Sequence, residues 1–436
     1  MRSFSEDLAV GEAEQACTYA EVLDRLQSWR EKIADAEIQP GQAVSLEGEY
    51  GAEAISAFLA LLENDNIIVP LTEAASAQHE TFREIAGIEK RIVLDEPDAP
   101  IIDLGTEPAD NELYRALRER GAAGLVLFTS GSTGASKAVV HDLDVLLEKY
   151  QKQRQKLRTI VFLQLDHIGG VNTLFYTLAN GGAVIAPGSR SAGDVCVAVE
   201  KYQAQLLPTS PTFLNLLLLS GEHEKHDLSS LTLITYGTEP MPESTLKRTH
   251  AAFPSAKLQQ TYGSTELGIL GSRSRSNSSL WVSVGGKGYE TKIVDGTLRV
   301  RARTAMLGYL NAPSPFDEEG FVDTGDRVEV DGEWIRILGR ESEIINVGGS
   351  KVHPAEVESV LLDLDEIEDA SVSGKPHPIL GQIVAARLQL KKPMSPREVK
   401  QLIRRRCQDS LPAYAVPVKI EISEVPLYNA RFKRQR

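Results

Sequence analysis

Short apolar strands alternate with helical segments from about residue 18 to residue 262 of this 436-residue chain. A capping box at Thr18 and Glu21 predicts a helix that extends to about Ala36. Between residues 43 and 94 the pattern predicts strands at 43–46, 67–71 and 92–94, with a helix at 54–62. Further buried strands are predicted at 159–163, 183–185, 205–208, 233–236 and 258–261. Such alternation is typical of an α/β fold with mostly parallel sheets.

The pattern changes near residue 283, where short strands and tight turns begin. Asp295-Gly296 and Asp331-Gly332 each lie between two apolar runs, which is a β-hairpin signal. We therefore predict a small antiparallel barrel that completes a large N-terminal domain, residues 1–340. A small mobile α+β C-terminal domain, residues 341–436, should follow a hinge at 340–342. Its predicted elements are a helix at 354–362, strands at 370–373 and 383–390, a helix at 396–407 and a strand at 418–422.

Composition excludes several classes of protein. A net charge of −14 argues against nucleic acid as the main partner, because phosphate backbones need a basic face. No run of eighteen apolar residues predicts a membrane span, and residues 1–12 lack the apolar segment of a signal peptide. The three cysteines, Cys17, Cys196 and Cys407, are far apart and without metal-ligand spacing. We expect reduced thiols in a cytoplasmic protein.

A loop rich in glycine and hydroxyl side chains follows the apolar run 125–128. Small residues let backbone N–H groups close on an anion, hydroxyls donate to its oxygens, and a lysine neutralises it. The loop therefore predicts a polyphosphate site, with ATP as the first ligand to consider. A plain surface turn is the less favoured alternative. The candidate phosphate-binding residues are Thr129, Ser130, Gly131, Ser132, Thr133, Gly134 and Lys137.

This loop does not match the P-loop pattern. Ser136 stands where the second glycine belongs, and Ala138 follows Lys137 in place of serine or threonine. A P-loop also opens directly into a helix, whereas a β-branched stretch continues here to a helix capped near Asp142. We therefore predict that the loop joins two strands.

Several further motifs follow the loop in a fixed order. They are Asp166-His167-Ile168-Gly169-Gly170, Tyr236-Gly237-Thr238-Glu239-Pro240, Thr261-Tyr262-Gly263-Ser264-Thr265-Glu266, Thr324-Gly325-Asp326, Gly339-Arg340-Glu341-Ser342-Glu343 and the segment 347–358. Together they closely resemble the adenylate-forming superfamily of acyl-CoA synthetases, nonribosomal adenylation domains and firefly luciferase. The resemblance extends from Tyr19 to Lys433, and this many motifs in order are highly specific.

The resemblance implies a role for each motif in binding ATP and Mg²⁺. Tyr262 would stack on adenine, Thr265 would donate to the α-phosphate, and Glu266 would hold Mg²⁺, which prefers carboxylate oxygen. Asp326 would accept the ribose hydroxyls, with Arg340 nearby. The remaining residues implied to line the nucleotide or the acyl pocket are Gly237, Thr238, Glu239, Thr261 and Gly263.

The resemblance also implies a substrate-lining position at His167. Amino-acid-activating relatives carry an aspartate there, so an α-amino acid substrate is disfavoured. Acyl- and aryl-CoA ligases carry an aromatic–histidine pair, and here Asp166 replaces the aromatic residue. A structural histidine at the end of a strand is the alternative.

The catalytic lysine of the family follows a glycine near the C-terminus. Here the tail has Phe432 in place of that glycine, and Lys433 is our candidate, with Arg431 as the alternative. A basic run such as 431–436 is more often merely solvated. Ser342 falls at the hinge position, and Gly348 and Gly349 would approach the pantetheine arm of a thiol substrate. A simple turn at this glycine pair is equally compatible with the sequence.

The implied reaction is the ligation of a carboxylic acid to a thiol through an acyl-adenylate, with release of pyrophosphate and then AMP. The leading acceptor is CoA, as in an acyl- or aryl-CoA synthetase. A stand-alone enzyme that loads the phosphopantetheine of an acyl carrier protein is a second possibility. A non-catalytic nucleotide-binding relative is a third. The sequence names neither the acid nor an oligomeric state.

Overall fold

The computed structural model describes residues 1–130, 136–429 and 432–436. The helices are α1 Tyr19–Asp35, α2 Ala52–Glu63, α3 His79–Ala86, α4 Glu112–Arg120, α5 Leu143–Leu147, α6 Ile168–Ala179, α7 Ala192–Tyr202, α8 Pro211–Ser220, α9 Glu243–Ala252, α10 Pro354–Leu362 and α11 Pro396–Ser410. Thr18 and Glu21 form the predicted capping box at the start of α1. None of the helices among these residues has the length and apolar character needed to cross a bilayer.

The strands follow in chain order. In the first half they are β1 Leu8–Gly11, β2 Ala16–Thr18, β3 Ala43–Glu47, β4 Ile67–Leu71, β5 Lys90–Val93, β6 Ile101–Asp103, β7 Gly124–Ser130, β8 Ser136–Asp142, β9 Arg158–Ile160, β10 Ala183–Ile185, β11 Leu206–Thr209, β12 Leu233–Tyr236 and β13 Lys257–Gln260. In the second half they are β14 Gly263–Ser264, β15 Gly268–Ile269, β16 Gly271–Ser274, β17 Trp281–Gly285, β18 Tyr289–Val294, β19 Thr297–Ala302, β20 Gly308–Tyr309, β21 Val322–Asp331, β22 Trp334–Arg340, β23 Ile345–Val347, β24 Ser350–Val352, β25 Ile367–His377, β26 Gly381–Leu390 and β27 Lys419–Ile422.

Two sheets whose strand pairs, taken together, are mostly parallel form the α/β part of the chain, as predicted. The first has the order β13-β12-β11-β9-β10-β1-β2, in which only the β1–β2 pair is antiparallel. The second has the order β20-β8-β7-β4-β3-β5-β6, with a parallel centre from β7 to β5. Strands β7 and β8 pair antiparallel, so the glycine-rich loop does join two strands. One apolar cluster contains residues of both sheets and of α1, α2 and α6, which places these helices between the sheets.

The antiparallel unit begins earlier than predicted. Its order is β16-β17-β22-β21-β19-β18, an open half-barrel that starts at Gly271 and not near residue 283. The predicted Asp295-Gly296 turn has φ of 50° and 77° at the two residues, and it connects β18 to β19. Positive φ at both positions is what a type I′ hairpin turn requires.

The C-terminal α+β unit follows the predicted order of elements. Strands β24-β23-β26-β25 pair antiparallel and β27 adds to β26 in parallel. Helix α10 has the predicted bounds, whereas β25 and α11 extend beyond theirs. The apolar sides of α10 and α11 meet β25 and β26 in one cluster that includes Val357, Val372 and Val399.

Candidate active site

The strands of the first sheet end at a crowded edge where two predicted motifs meet. Gly237 follows β12, and a Cβ atom there would lie 2.7 Å from Oγ1 of Thr261, which follows β13. Only glycine allows this approach of the two segments. Thr238 then adopts φ of 72°, a left-handed conformation that is rare for a threonine. Such strain is typical of functional segments.

Tyr262, Asp326 and Arg340 form one polar group. The Tyr262 hydroxyl donates to Oδ2 of Asp326 at 2.7 Å, and Nε of Arg340 lies 3.7 Å from Oδ1. Asp326 and Arg340 are opposite each other in the β21–β22 pair, which fixes their spacing. Burial raises the pKa of Asp326, and it also raises the pKa of Tyr262, next to the Asp326 charge. The structure thus brings together three residues that the sequence assigned to adenosine.

Thr265 and Glu266 lie in the turn between β14 and β15. The Tyr309 hydroxyl donates to Oε1 of Glu266 at 2.9 Å, and Nζ of Lys137 lies 5.0 Å from the centre of the Tyr309 ring. The buried ring of His141 contacts the main-chain oxygen of Thr265 at 2.6 Å. The Glu266 carboxylate, the Tyr309 hydroxyl and the Lys137 side chain therefore lie close together, among residues that the sequence assigns to phosphate and Mg²⁺.

Sequence reasoning missed His141 and Tyr309. His141 lies in the apolar strand β8, where it resembles a core residue. Tyr309 lies in the two-residue strand β20, which pairs with β8 and so reaches Glu266. Burial and the adjacent Glu266 carboxylate raise the pKa of Tyr309. No local pattern links Tyr309 to a residue so distant in sequence.

Glu266 suits a magnesium ion shared with a nucleotide. Within the described part of the chain, no group of three or more His, Cys, Asp or Glu residues could hold a metal ion. Mg²⁺ is commonly held by one or two carboxylates together with substrate phosphates. The hydrogen bond from Tyr309 engages Oε1 of Glu266. Because a carboxylate has two oxygens, the donor set fits a phosphate-bridged Mg²⁺.

His167 and Lys433 line the same narrow cavity, together with Thr72, Asp166 and Arg190. His167 caps α6, and its Nδ1 accepts the N–H of Gly169 at 2.9 Å. Oδ2 of the buried Asp166 accepts the Thr72 hydroxyl at 3.1 Å. The C-terminal lysine candidate therefore lies beside the predicted acid-binding position.

Glu239 connects the large domain to the tail. Its Oε1 accepts the N–H of Thr212 in the first turn of α8 at 2.9 Å, and its Oε2 accepts the N–H of Arg434 at 3.2 Å. Predicted to line the nucleotide, Glu239 uses both of its carboxylate oxygens to fix other segments.

The basic tail is not the solvated segment that its composition suggests. Arg434 retains 4% of its side-chain exposure and pairs with Glu358 at 3.1 Å and with Asp369 at 2.9 Å. Arg436 pairs with Glu358 at 2.9 Å and also contacts Glu343, the residue after the predicted hinge at 340–342. Burial alone would raise the pKa of Glu358, but the two guanidinium groups hold that pKa below its usual value. Ion pairs with the small domain thus hold the end of the tail, residues 434–436, in place.

Other predicted residues lie apart from this group. Gly348 and Gly349 form the exposed β23–β24 turn with φ of 58° and 92°, and Gly349 N–H donates to Oδ1 of Asn346. Ser342 lies in an exposed 3₁₀ turn, Glu341–Glu343. Thr129 pairs with Lys137 in the β7–β8 ladder. Four loop candidates, Gly131, Ser132, Thr133 and Gly134, and the alternative Arg431 lie outside the described residues, and Ser130 is described only as the last residue of β7.

Comparison with known families agrees with this grouping. The family model of the AMP-binding enzymes matches residues 79–310, and the model of the AMP-binding enzyme C-terminal domain matches residues 356–431. The chain belongs to the AMP-binding enzyme family. The two family models support the resemblance to the adenylate-forming superfamily, so that prediction is confirmed.

Individual relatives of the chain are named as CoA ligases. A probable CoA ligase of Humulus lupulus is 31% identical over 312 residues, which cover 64% of this chain and 56% of that protein. The chain thus spans little more than half the length of this relative. A 2-succinylbenzoate–CoA ligase of Bacillus subtilis (strain 168) is 25% identical and aligns over 99% of this chain and 94% of its own length. The crystal structure of the anthranilate CoA ligase AuaEII in complex with anthranoyl-AMP has a TM-score of 0.84 and 21% identity, covering 100% of this chain and 94% of that one.

Proposed function

We propose that this AMP-binding enzyme is a ligase that joins a carboxylic acid to CoA. In the first half-reaction a carboxylate oxygen attacks the α-phosphorus of ATP, the bond to the β-phosphate oxygen breaks, and pyrophosphate leaves. In the second, the CoA sulfur attacks the acyl carbon of the adenylate and loses its proton, and the bond to AMP breaks. Family membership and the CoA ligases among the relatives support this reaction.

The observation that carries the proposal is the arrangement around residues 262–266. At one end, Tyr262 and Asp326 offer an aromatic face and a carboxylate for adenosine, with Arg340 beside them. At the other end, Thr265 and Glu266 lie near Lys137. A bound ATP would extend from the first group to the second, with Gly237 and Thr238 along its side.

Charge neutralisation is the main catalytic requirement of the first half-reaction, because two anions must meet. Mg²⁺ held by Glu266 would supply part of the positive charge on the phosphates. Thr265 would donate a hydrogen bond to the α-phosphate. Lys433 approaches from the tail beside His167, where the acid carboxylate would lie.

The acceptor half-reaction requires a different part of the small domain. Gly348 and Gly349 are exposed and carry no bulky side chain. A rotation about Ser342 would withdraw Lys433 and bring this turn to the acyl-adenylate. CoA is preferred over a carrier protein because the named relatives are CoA ligases.

Pyrophosphate exchange tests the reaction and the lysine together. The purified protein is incubated with ATP, labelled pyrophosphate and a panel of aliphatic and aromatic acids, and CoA-dependent AMP release is measured for acids that support exchange. Lys433→Ala should slow exchange by about 10²- to 10³-fold, the effect of losing one charge-stabilising donor. Thioester formation from a preformed adenylate should survive.

Lys392→Ala, at an exposed lysine of the same domain, is the matched control. Wild-type protein that exchanges with no acid of the panel would argue for a non-catalytic nucleotide-binding relative. AMP release with a phosphopantetheinylated carrier but not with CoA would overturn the choice of acceptor.

A further inference from the structure

Phe432, immediately before Lys433, belongs to the tail of the small domain but packs into the large domain. Its ring centre lies 5.2 Å from that of Phe162 and 5.7 Å from that of Phe213, which it meets edge to face. Both partner rings are 1% exposed. The Arg190 guanidinium lies 5.7 Å from the Phe432 ring, which gives it a cationic neighbour as well.

The backbone at Phe432 is strained. Its φ is 52°, the left-handed region that favours glycine. This is the position at which the sequence departs from the glycine–lysine pattern. A phenylalanine persists in such a conformation only where its contacts compensate for the strain. Here the aromatic pocket supplies that compensation.

Hydrogen bonds hold the same residue from both domains. The Ser210 hydroxyl donates to the Phe432 carbonyl at 3.0 Å while accepting the N–H of Phe213, so the tail is tied to the start of α8. From the tail itself, Asn429 accepts the N–H of Phe432 at 2.8 Å and, through Oδ1, the N–H of Lys433 at 3.1 Å.

The residues on both sides of Lys433 are held in place by contacts. On one side, the Phe432 ring packs against Phe162 and Phe213. On the other side is Arg434, whose N–H donates to Glu239 of the large domain and whose side chain pairs with Asp369 of the small domain. The direction of the lysine therefore depends on both contacts.

We propose that Phe432 is a positioning residue, which anchors the tail in the large domain and so directs Lys433 to the acid-binding cavity. This inference rests on the proposed adenylation function. The same anchor must be withdrawn before the small domain can rotate, so the ring favours the first half-reaction and slows the passage to the second.

Three substitutions distinguish the effect of the Phe432 ring from the effect of the strained backbone at that residue. Phe432→Gly removes the ring and suits the positive φ, so any loss reflects the missing anchor. Phe432→Ala removes the ring and keeps the strain, while Phe432→Leu keeps apolar bulk. Tyr414→Ala, at an exposed aromatic residue of the same domain, is the control.

We expect Phe432→Gly to lower kcat of pyrophosphate exchange by about 10- to 100-fold, the cost of misplacing a catalytic group. KM for ATP should stay within about twofold, because the residues assigned to adenosine are untouched. Phe432→Ala should lose at least as much activity, and Phe432→Leu should keep most of it. Thioester formation from a preformed adenylate should be unchanged or faster. Exchange at the wild-type rate in Phe432→Gly, or equal loss in both half-reactions, would overturn the proposal.

Hydrogen exchange measured by mass spectrometry tests the anchor without activity. Peptides covering residues 427–436 should be protected in the wild-type protein and in Tyr414→Ala, and should exchange faster in Phe432→Gly. If the wild-type protein shows no acid-dependent pyrophosphate exchange but the tail peptides show this difference in hydrogen exchange, the proposed reaction is wrong and the anchor is supported. Unchanged protection in Phe432→Gly would refute the anchor even in an active enzyme.

Discussion

His141 supports the turn that carries Thr265. Its ring is 0% exposed, and its Nδ1 has no hydrogen-bond partner among the described residues. Burial lowers the pKa of His141 from 6.5 to about 4, so the ring is neutral at pH 7. The proton then lies on Nε2, because the contact with the Thr265 oxygen requires a donor. A proton on Nδ1 would add a buried charge beneath the active-site turn.

This titration predicts how stability depends on pH. Between pH 6.5 and 4 the unfolded chain binds a proton at His141 and the folded chain does not, so stability falls as the pH falls. Relative to His141→Asn, which can donate to Thr265 without titrating, the wild-type protein should lose about 2–3 kcal/mol by pH 4.5. Urea unfolding of both proteins at pH 7.5 and 4.5 measures this change, since the other groups titrate in both. A difference in unfolding free energy between the two proteins that is the same at both pH values would contradict this prediction.

At the scale of elements, the tail depends on an ion pair enclosed by α10 and β25. Arg434→Met leaves Asp369 as a buried carboxylate without its cation, which should destabilise the small domain by about 3 kcal/mol. Adding Asp369→Asn should restore a large part of that loss, because the unpaired charge is removed. Thermal unfolding compares these variants with Arg404→Met, at an exposed arginine of α11. Equal melting temperatures for Arg434→Met and Arg404→Met would refute the structural role.

Elements that are buried on both faces were predictable from sequence. The strands Ile67–Leu71 and Ala183–Ile185 are buried at every residue and have their predicted bounds, because continuous apolar runs match a covered parallel sheet. Strand β16, Gly-Ser-Arg-Ser, has no apolar alternation, and so the start of the half-barrel was misplaced. Strand β9 ends at Ile160, although the apolar run continues to Leu163.

The predicted site residues differ in the same respect. Tyr262 follows the parallel strand β13, and parallel strands bring their carboxyl ends to one edge of a sheet, so its place near that edge was predictable. Glu266 and Asp326 lie in antiparallel segments and were predicted from the family resemblance alone. The burial of Arg434 depends on Glu358 and Asp369, whose positions follow from the packing of the small domain. No periodicity in a basic tail encodes such partners.

At the scale of the whole molecule, the two domains meet through several small polar contacts. Asn215 of α8 donates to the Glu368 carbonyl at 3.3 Å, and the N–H of Ser244 donates to the Ser359 hydroxyl at 3.4 Å. The Phe432 ring adds an apolar contact to these bonds. An interface of this kind suits a domain that is held in one orientation and then released.

The 3₁₀ turn at Ser342 is where that release would require backbone rotation. Proline fixes φ near −65°, so Ser342→Pro restricts the turn while the tail remains docked. We expect near-normal pyrophosphate exchange and a loss of thioester formation on the order of tenfold or more, since conformational steps often limit turnover. Ser342→Ala, which keeps the rotation, should retain both half-reactions. Ser342 is exposed, so proline there should not disturb the packed core, and the melting temperature of Ser342→Pro should equal that of the wild-type protein. Equal damage to both half-reactions by proline would place the pivot elsewhere in the chain.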